Sequence, residues 1–133
     1  MVERMVSGKD YRVLVVKGDV IAVAERVPAQ VMGDGRHSVR ELVQMTNADP
    51  RRGVGHENVL TRITLDEQSV DLVARQGLSL DHVPAAGRPV RLKQTANMST
   101  GGTSIDCTDE IHPDNAEIAV EAALAVGLDV AGL

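Results

Sequence analysis

A single aromatic residue, Tyr11, occurs in this chain of 133 residues, which contains neither Phe nor Trp. Any hydrophobic core must therefore be built from aliphatic side chains, mainly Val, Ile, Leu and Ala. The composition is otherwise ordinary, at 43% hydrophobic and 25% charged residues, and a chain of this size buries about two-thirds of the surface that its unfolded form exposes. These properties predict one folded domain with an aliphatic core rather than a disordered segment.

The charge and the missing aromatic residues also narrow the partners that we expect. A net charge of −5 disfavours binding to a phosphate backbone, and a chain almost without aromatic rings offers no platform for stacking bases. The one cysteine, Cys107, is interpreted as a small buried side chain, which is consistent with a reducing cytosol. No apolar run is long enough to span a bilayer and no signal peptide begins the sequence, so we expect a soluble cytoplasmic protein without nucleic-acid or membrane partners.

The first half of the sequence predicts a hairpin and a helix. Two β-branched runs, residues 11–16 and 20–27, flank Gly18 and Asp19, a pair that favours the tight turn of an antiparallel hairpin. Ser38, followed three residues later by Glu41, has the spacing of a capping box and predicts a helix over about residues 39–45. The segment from residue 47 to residue 55, continuing toward 58, contains Pro and Gly without periodicity and predicts an exposed, mobile loop.

The second half predicts two further helices and three strands. Thr64 and Glu67 form a second capping-box spacing before a helix that ends near Gln76, with Gly77 after it. Strands are expected at residues 60–65, 89–95 and 128–133, and a helix begins at Pro113, with Ala116, Ala119, Ala122, Ala123 and Val126 as its buried stripe. The predicted fold class is α+β, a mostly antiparallel sheet with three helices packed on it.

Two features of the sequence could bind an anion. The loop Ser99–Thr100–Gly101–Gly102 offers hydroxyls and backbone N–H groups that no Cβ shields, although the same residues also make an ordinary turn. Arg12 lies on the first hairpin strand, where its guanidinium faces either solvent or a cleft. In a cleft it would suit bidentate binding of a phosphate or a carboxylate.

Two charged segments have competing interpretations. Asp106, Asp109, Glu110 and Asp114, together with His112, could hold Mg²⁺, but they match no EF-hand spacing, and acidic residues also favour the start of a helix. The charged loop that contains Arg51, Arg52 and His56 is either a solvated surface segment or a lid over a site. Neither a Walker loop nor a hydrolase nucleophile motif occurs.

Five longer segments match a known family, and these are residues 2–16, 27–29, 33–35, 47–53 and 95–106. Together they resemble the ATP-grasp domain of the cyanophycin synthetases, and the resemblance runs nearly end to end. The same framework is similar to the ATP-grasp part of the bifunctional glutamate–cysteine ligase/glutathione synthetases. Residues 55–61, and residues 95–97 within the last segment, favour the cyanophycin family.

The resemblance implies roles for individual residues. Glu3, Arg4 and Val6 match the hinge that meets adenine through backbone groups, and Asp10 matches the acidic residue that binds ribose. Arg12 and the Ser99–Gly102 loop would face the γ-phosphate and the acyl phosphate of the acceptor, with Arg12 as the catalytic arginine. The loop with Arg51, Arg52 and His56 would help to cover the site.

The resemblance also implies that the catalytic centre is incomplete. In ATP-grasp ligases, lysines of an upstream lobe grip the phosphates, and the Mg²⁺ ligands follow a strand like the one predicted at residues 130–133. We therefore expect residues 1–133 to be a partial ATP-grasp domain without metal ligands of its own, and inactive alone. Its parent would be a homo-oligomeric ligase that uses ATP and Mg²⁺ to add aspartate to an aspartate/arginine peptide. A glutathione-synthesising ligase and a non-catalytic domain that binds an anion or a peptide are the alternatives.

Overall fold

The computed structural model describes residues 8–54 and 58–133, and every structural statement below concerns those residues. They form two compact units, one made of the residues up to Arg26 together with Ser104–Leu133, and one made of Val27–Thr103. The elements in chain order are β1 (Asp10–Val16), β2 (Asp19–Val27), β3 (Gln30–Met32), α1 (Val39–Asn47), β4 (Arg52–Gly53), β5 (Leu60–Thr61), α2 (Glu67–Arg75), β6 (Pro89–Arg91), β7 (Thr103–Asp106), α3 (Pro113–Val126) and β8 (Val130–Gly132).

The first unit is built on a four-stranded sheet with the strand order β7-β2-β1-β8. Strands β1 and β2 form the predicted antiparallel hairpin, and β8 is antiparallel to β1 on its other side. The turn lies one residue earlier than predicted, because Val16 pairs with Asp19 and leaves Lys17 and Gly18 as the two loop residues. Both have positive φ, 50° and 86°, as a turn that matches the twist of a hairpin requires.

Helix α3 covers one face of this sheet. It begins at Pro113 and ends before Gly127, whose φ of 72° is the left-handed helix end expected of glycine. Ala119 and Ala123 are buried against Val15 and Ala131, which confirms the small-residue stripe in the middle of the helix. Val126, predicted to continue the stripe, lies in the last turn and is 73% exposed.

The second unit has its own aliphatic core. Helices α1 and α2 contribute to it with the antiparallel pair β3–β6, and its members include Val31, Val39, Val43, Val73, Val90 and Leu92. The predicted strand from residue 89 ends earlier, at Arg91. None of the helices in the described ranges has the length and apolar character needed to cross a bilayer.

The two helix starts of the second unit differ from each other. At α1 the capping box is present in full, with Ser38 accepting from the N–H of Glu41 and the Glu41 carboxylate accepting from the N–H of Ser38. At α2 the cap is Asp66 rather than Thr64. The Asp66 carboxylate accepts both the N–H and the hydroxyl of Ser69, at 2.9 and 2.8 Å, and also the ammonium of Lys93.

The segment predicted as an exposed loop contains a short strand. β4 pairs in parallel with β5, with Arg52 opposite Leu60 and Gly53 opposite Thr61. Both residues of β4 are buried. The sequence gives no periodicity here because a strand of two residues is too short to have one.

Candidate functional site

Arg12 is exposed on β1 and belongs to the first unit. Its strand neighbours Val13 and Val15 pack toward α3, and because successive side chains of a strand alternate, Arg12 points to the opposite face of the sheet. Its stem lies beside β8, since a Cβ on Gly132 would be at an ordinary van der Waals distance of 3.8 Å from Cδ of Arg12. The exposed guanidinium therefore lies on the sheet face opposite α3.

Asp10, the candidate ribose ligand, begins β1 and is directly opposite Arg26 of β2. One of its carboxylate oxygens lies 3.3 Å from Nη2 of Arg26. A ribose hydroxyl at this carboxylate would therefore share it with an existing ion pair. The other proposed nucleotide residues, Glu3, Arg4 and Val6, lie outside the described residues, so the nucleotide-binding assignment stays a prediction.

The Ser99–Gly102 loop belongs to the second unit and folds as one 3₁₀ turn, Met98–Thr100, closed by Gly101 at a φ of 91°. The backbone N–H groups of Thr100 and Gly102 both donate to the carbonyl of Asn97, at 3.2 and 3.0 Å, and that of Gly101 donates to Met98. The Thr100 hydroxyl also donates to Asn97. These donors are engaged within the loop, whereas the side chain of Ser99 is exposed.

The two glycines of this loop are buried rather than accessible, in contrast to the prediction. A Cβ on Gly101 would lie 2.7 Å from Cγ1 of Ile63, and one on Gly102 would lie 2.8 Å from the carbonyl oxygens of Asn97 and Val27. Close packing thus requires glycine at both positions, whatever the loop binds. Any contact between this loop and a phosphate rests mainly on Ser99, unless the backbone rearranges.

Arg52 is placed beneath the same loop. Its Nη1 donates to the carbonyl of Thr61 at 2.7 Å and to the carbonyl of Gly101 at 3.0 Å. The residue is 8% exposed, and burial lowers the pKa of its guanidinium from the usual value. The sequence predicted an exposed charged segment here, so the burial of this arginine is a correction to that expectation.

Arg51 has the opposite environment. Its guanidinium is exposed and forms an ion pair with Asp49 at 2.7 Å, and the hydrogen bonds from Arg51 lower the pKa of the Asp49 carboxyl to about 2. His56 lies outside the described residues. A lid role for Arg51 and His56 therefore stays a prediction.

Asn47, at the end of α1, is a residue that sequence reasoning missed. Its side-chain amide donates to the carbonyl of Ile63 and accepts from the N–H of Ile63, both at 2.8 Å. Ile63 is the residue against which Gly101 packs. The sequence offers one signal for Asn47, which is that a polar residue follows just after a helical pattern.

The acidic stretch serves local structure. The Asp106 carboxylate accepts from the N–H and the hydroxyl of Thr108, at 3.0 and 2.6 Å, and these bonds lower its pKa. His112 caps α3 by accepting from the N–H of Asp114. No group of three metal-binding side chains comes together in residues 8–54 and 58–133. Asp114 lies in the first turn of α3, whereas Asp109 and Glu110 lie in a separate 3₁₀ turn before the helix.

An apolar cavity lies on the α3 side of the first unit. Its volume is about 320 Å³, and Cys107, buried as predicted, contributes to its wall. Because Arg12 points to the other face of the sheet, this cavity is not part of the candidate anion site. The lining residues are Tyr11, Val13, Val23, Cys107, Glu110, Ile111, His112 and Asn115.

Comparison with known proteins finds relatives that match this chain along its whole length. A cyanophycin synthetase from Nostoc sp. is 54% identical over all 133 residues, and a glutathione biosynthesis bifunctional protein from Mannheimia succiniciproducens is 45% identical over the same residues. The crystal structure of a bifunctional glutathione synthetase from Pasteurella multocida matches 96% of the chain at 43% identity, with a TM-score of 0.81. No protein-family model matches the chain.

The chain has a mostly antiparallel α+β fold that matches a fragment of an ATP-grasp glutathione synthetase. Its homologues are the cyanophycin synthetases and the bifunctional glutathione proteins. The chain spans 15% of the length of the Nostoc relative and 17% of the Pasteurella chain. The fold and family predictions are thus confirmed, whereas the roles of individual site residues are not tested by these matches.

Proposed function

We propose that this chain is the part of a cyanophycin-type ligase that presents Arg12 and Ser99 to phosphate. The proposal rests on one observation, the match to cyanophycin synthetases along the whole chain, at 54% identity for the Nostoc protein against 45% for the Mannheimia glutathione protein. In the parent ligase, ATP would activate the carboxylate of a peptide as an acyl phosphate, and the amine of aspartate would attack it. The parent would be a homo-oligomer in the cytoplasm.

The residues of this chain fit the phosphate part of such a site better than the metal part. Arg12 offers an exposed, planar guanidinium, and Ser99 offers an exposed hydroxyl. A fixed positive group near a transferring phosphoryl group stabilises the charge that develops there. In this proposal the chain's own part in the reaction is to bind and orient phosphate, and Mg²⁺ would be held elsewhere in the parent.

We expect the isolated chain to bind Mg-ATP weakly and not to hydrolyse it. The experiment is calorimetry with Mg-ATP, together with phosphate-release assays in the presence of aspartate and an aspartate/arginine primer. Substituting Arg12→Ala or Ser99→Ala should weaken ATP binding at least about threefold, because each removes a polar contact to phosphate. The matched controls are Arg40→Ala and Ser79→Ala, since both residues are exposed and neither belongs to the candidate site. Aspartate-dependent phosphate release by the purified chain would contradict the predicted inactivity.

A glutathione-synthesising ligase is the second candidate, favoured by the structural match at a TM-score of 0.81. The two parents differ in the substrates that drive turnover. In the full-length parent, γ-glutamylcysteine with glycine would release phosphate in the glutathione case, and aspartate with an aspartate/arginine primer would do so in the cyanophycin case. If the chain binds such a peptide without ATP, and Arg12→Ala and Ser99→Ala abolish that binding, the non-catalytic alternative is favoured.

A further inference from the structure

We propose that Arg52 is a positioning residue that holds the Ser99–Gly102 loop in place from beneath. The inference deepens the proposed function and rests on it, because the loop matters for activity only if it contacts phosphate. In this role Arg52 supports the loop from beneath, whereas a lid residue would close over the site.

The first observation is that one nitrogen joins two distant segments. Nη1 of Arg52 carries two hydrogens and donates to the carbonyls of Thr61 and Gly101, at 2.7 and 3.0 Å. These carbonyls belong to β5 and to the C-terminal end of the 3₁₀ turn. A hydrogen bond from a charged donor is stronger than one between neutral groups, especially where water is excluded.

The second observation is that the loop has little freedom at this point. Gly101 packs on Ile63. The side-chain amide of Asn47 fixes the backbone of Ile63 by donating to its carbonyl and accepting from its N–H. Asn47 ends α1 and Arg52 begins β4. The loop is thus connected to α1 and β4 through the partly buried side chain of Asn47 and the buried side chain of Arg52. The position of Ser99 relative to the core of the second unit therefore depends on Arg52.

The third observation is that a lysine would not reproduce this arrangement. The planar guanidinium directs two N–H groups of one nitrogen at fixed angles, whereas an ammonium is a compact charge on a shorter and more flexible stem. An apolar side chain of similar length would remove both of these hydrogen bonds. Arg52→Lys and Arg52→Met therefore separate the effect of charge from the effect of the bridge.

The test is amide hydrogen exchange on the full 133-residue chain, followed by NMR. In Arg52→Met the N–H groups of Thr100, Gly101 and Gly102 should exchange at least about tenfold faster, because the carbonyl of Gly101 loses its hydrogen bond from a charged donor and the link from the loop to Thr61 of β5 is lost. Amides in the middle of α2 and in β1 should keep their rates within about twofold. Arg52→Lys should resemble Arg52→Met, and Arg40→Met, an exposed control, should resemble the wild type.

Three results would overturn the positioning role. Equal acceleration at all amides would show that Arg52 contributes only to global stability, unchanged loop exchange would show that it does not hold the loop, and full protection in Arg52→Lys would show that charge alone suffices. If Arg52→Met fails to fold, wild-type chain labelled at the guanidinium provides a second measurement. Slow rotation about the Cζ–Nη1 bond supports the bridge, and rotation as fast as in Arg40 contradicts it.

Titration with Mg-ATP and with inorganic phosphate separates this inference from the proposed function. A shift of the Ser99 amide signal in the wild type that weakens at least about threefold in Arg52→Lys supports both proposals. A shift that Arg52→Lys leaves unchanged overturns the positioning role alone. No shift in the wild type with either probe overturns the phosphate role of the loop, and the positioning role with it, even where the exchange rates follow the expected pattern.

Discussion

At the scale of single residues, glycine and charged side chains control the loop that carries Ser99. Gly101 has a φ of 91° and almost touches Ile63, so two separate constraints exclude other residues at this position. Gly87 shares only the first constraint, since its φ is 79° and nothing lies within 4 Å of its Cβ position. Comparing substitutions at Gly101 and Gly87 therefore separates the cost of backbone strain from the cost of steric overlap.

Substituting Gly101→Ala should lower the free energy of unfolding by about 3 kcal/mol, from left-handed strain together with overpacking against Ile63. Gly87→Ala should cost only the strain, about 1 kcal/mol. Urea unfolding followed by circular dichroism measures both. Equal losses in the two variants would mean that Ile63 moves away at no cost.

Asp66 links a helix cap to the buried ammonium of Lys93. The hydrogen bond from Lys93, followed by those from Ser69, holds the pKa of the Asp66 carboxyl well below its ordinary value. The lowered value means that the carboxylate stabilises the fold above the pKa of the unfolded chain, and that this contribution is lost as the pH falls through the folded pKa. The contribution of Asp66 to the free energy of unfolding therefore changes at acid pH.

We expect the free energy of unfolding of the wild type to decrease between about pH 5 and pH 2, and Asp66→Asn to make this dependence less steep. The matched control is Asp81→Asn, because Asp81 forms an exposed ion pair with Arg40 and such pairs contribute little. The measurement is urea unfolding at a series of pH values. Parallel pH profiles for wild type and Asp66→Asn would contradict the prediction.

At the scale of elements, local signals located the helices and the hairpin well. Ser38 with Glu41, and the glycines after α2 and α3, are within a few residues of the elements that they define, so the sequence alone shows them. The start of α2 was misplaced by two residues, because a Thr–Glu spacing competes with an Asp cap that also bonds Lys93, a residue far away in sequence. Caps that depend on tertiary partners cannot be identified from spacing.

The capping box of α1 provides a test at this scale. Ser38→Ala should destabilise the second unit by about 1 kcal/mol, since the N–H of Glu41 loses its acceptor. Ser79→Ala, at an exposed position, should change stability by less than about 0.5 kcal/mol. Thermal unfolding of the two variants gives the comparison, and a Ser38→Ala melting temperature equal to that of the control would show that the box contributes nothing.

The candidate site was predicted only in part, for reasons that also belong to the elements. The position of Arg12 on a predicted strand indicated that its charge faces either solvent or a cleft, but the burial of Arg52 depends on a parallel pairing of two residues between β4 and β5. Arg51 and Arg52 are adjacent and of the same residue type, so no local sequence pattern shows that Arg51 is exposed and Arg52 is buried. Residue spacing in the sequence therefore could not reveal how the Ser99 loop is anchored.

At the scale of the whole molecule, the chain leaves apolar surface uncovered. Ile118, Leu124 and Val126 of α3 are all more than 60% exposed. Ile118 and Leu124 lie on either side of the buried stripe, and Val126 lies at its C-terminal end. A helix that is apolar on most sides is normally covered by other structure. Among the described strands, β8 pairs only with β1 and remains an edge, and edges invite association.

We expect the isolated chain to self-associate as its concentration rises, which sedimentation velocity would detect. Replacing Leu124 and Val126 together by Lys should shift the chain toward the monomer, because charge on an apolar patch opposes its burial. Val54→Lys is the control, since Val54 is 74% exposed and belongs to the second unit. A wild-type chain that is monomeric at all concentrations would contradict the expectation.

The order of the sheet in the first unit has a consequence for biosynthesis. Strands β1 and β2 are synthesised before their outer neighbours β7 and β8, which begin only at Thr103 and Val130. A hairpin of two strands is at best marginally stable in water. The nascent hairpin must therefore wait, partly unprotected, while the second unit is synthesised and acquires its own core. Slowing translation after codon 103 should prolong this exposed stage, so chaperone demand should peak there rather than at the start of the chain.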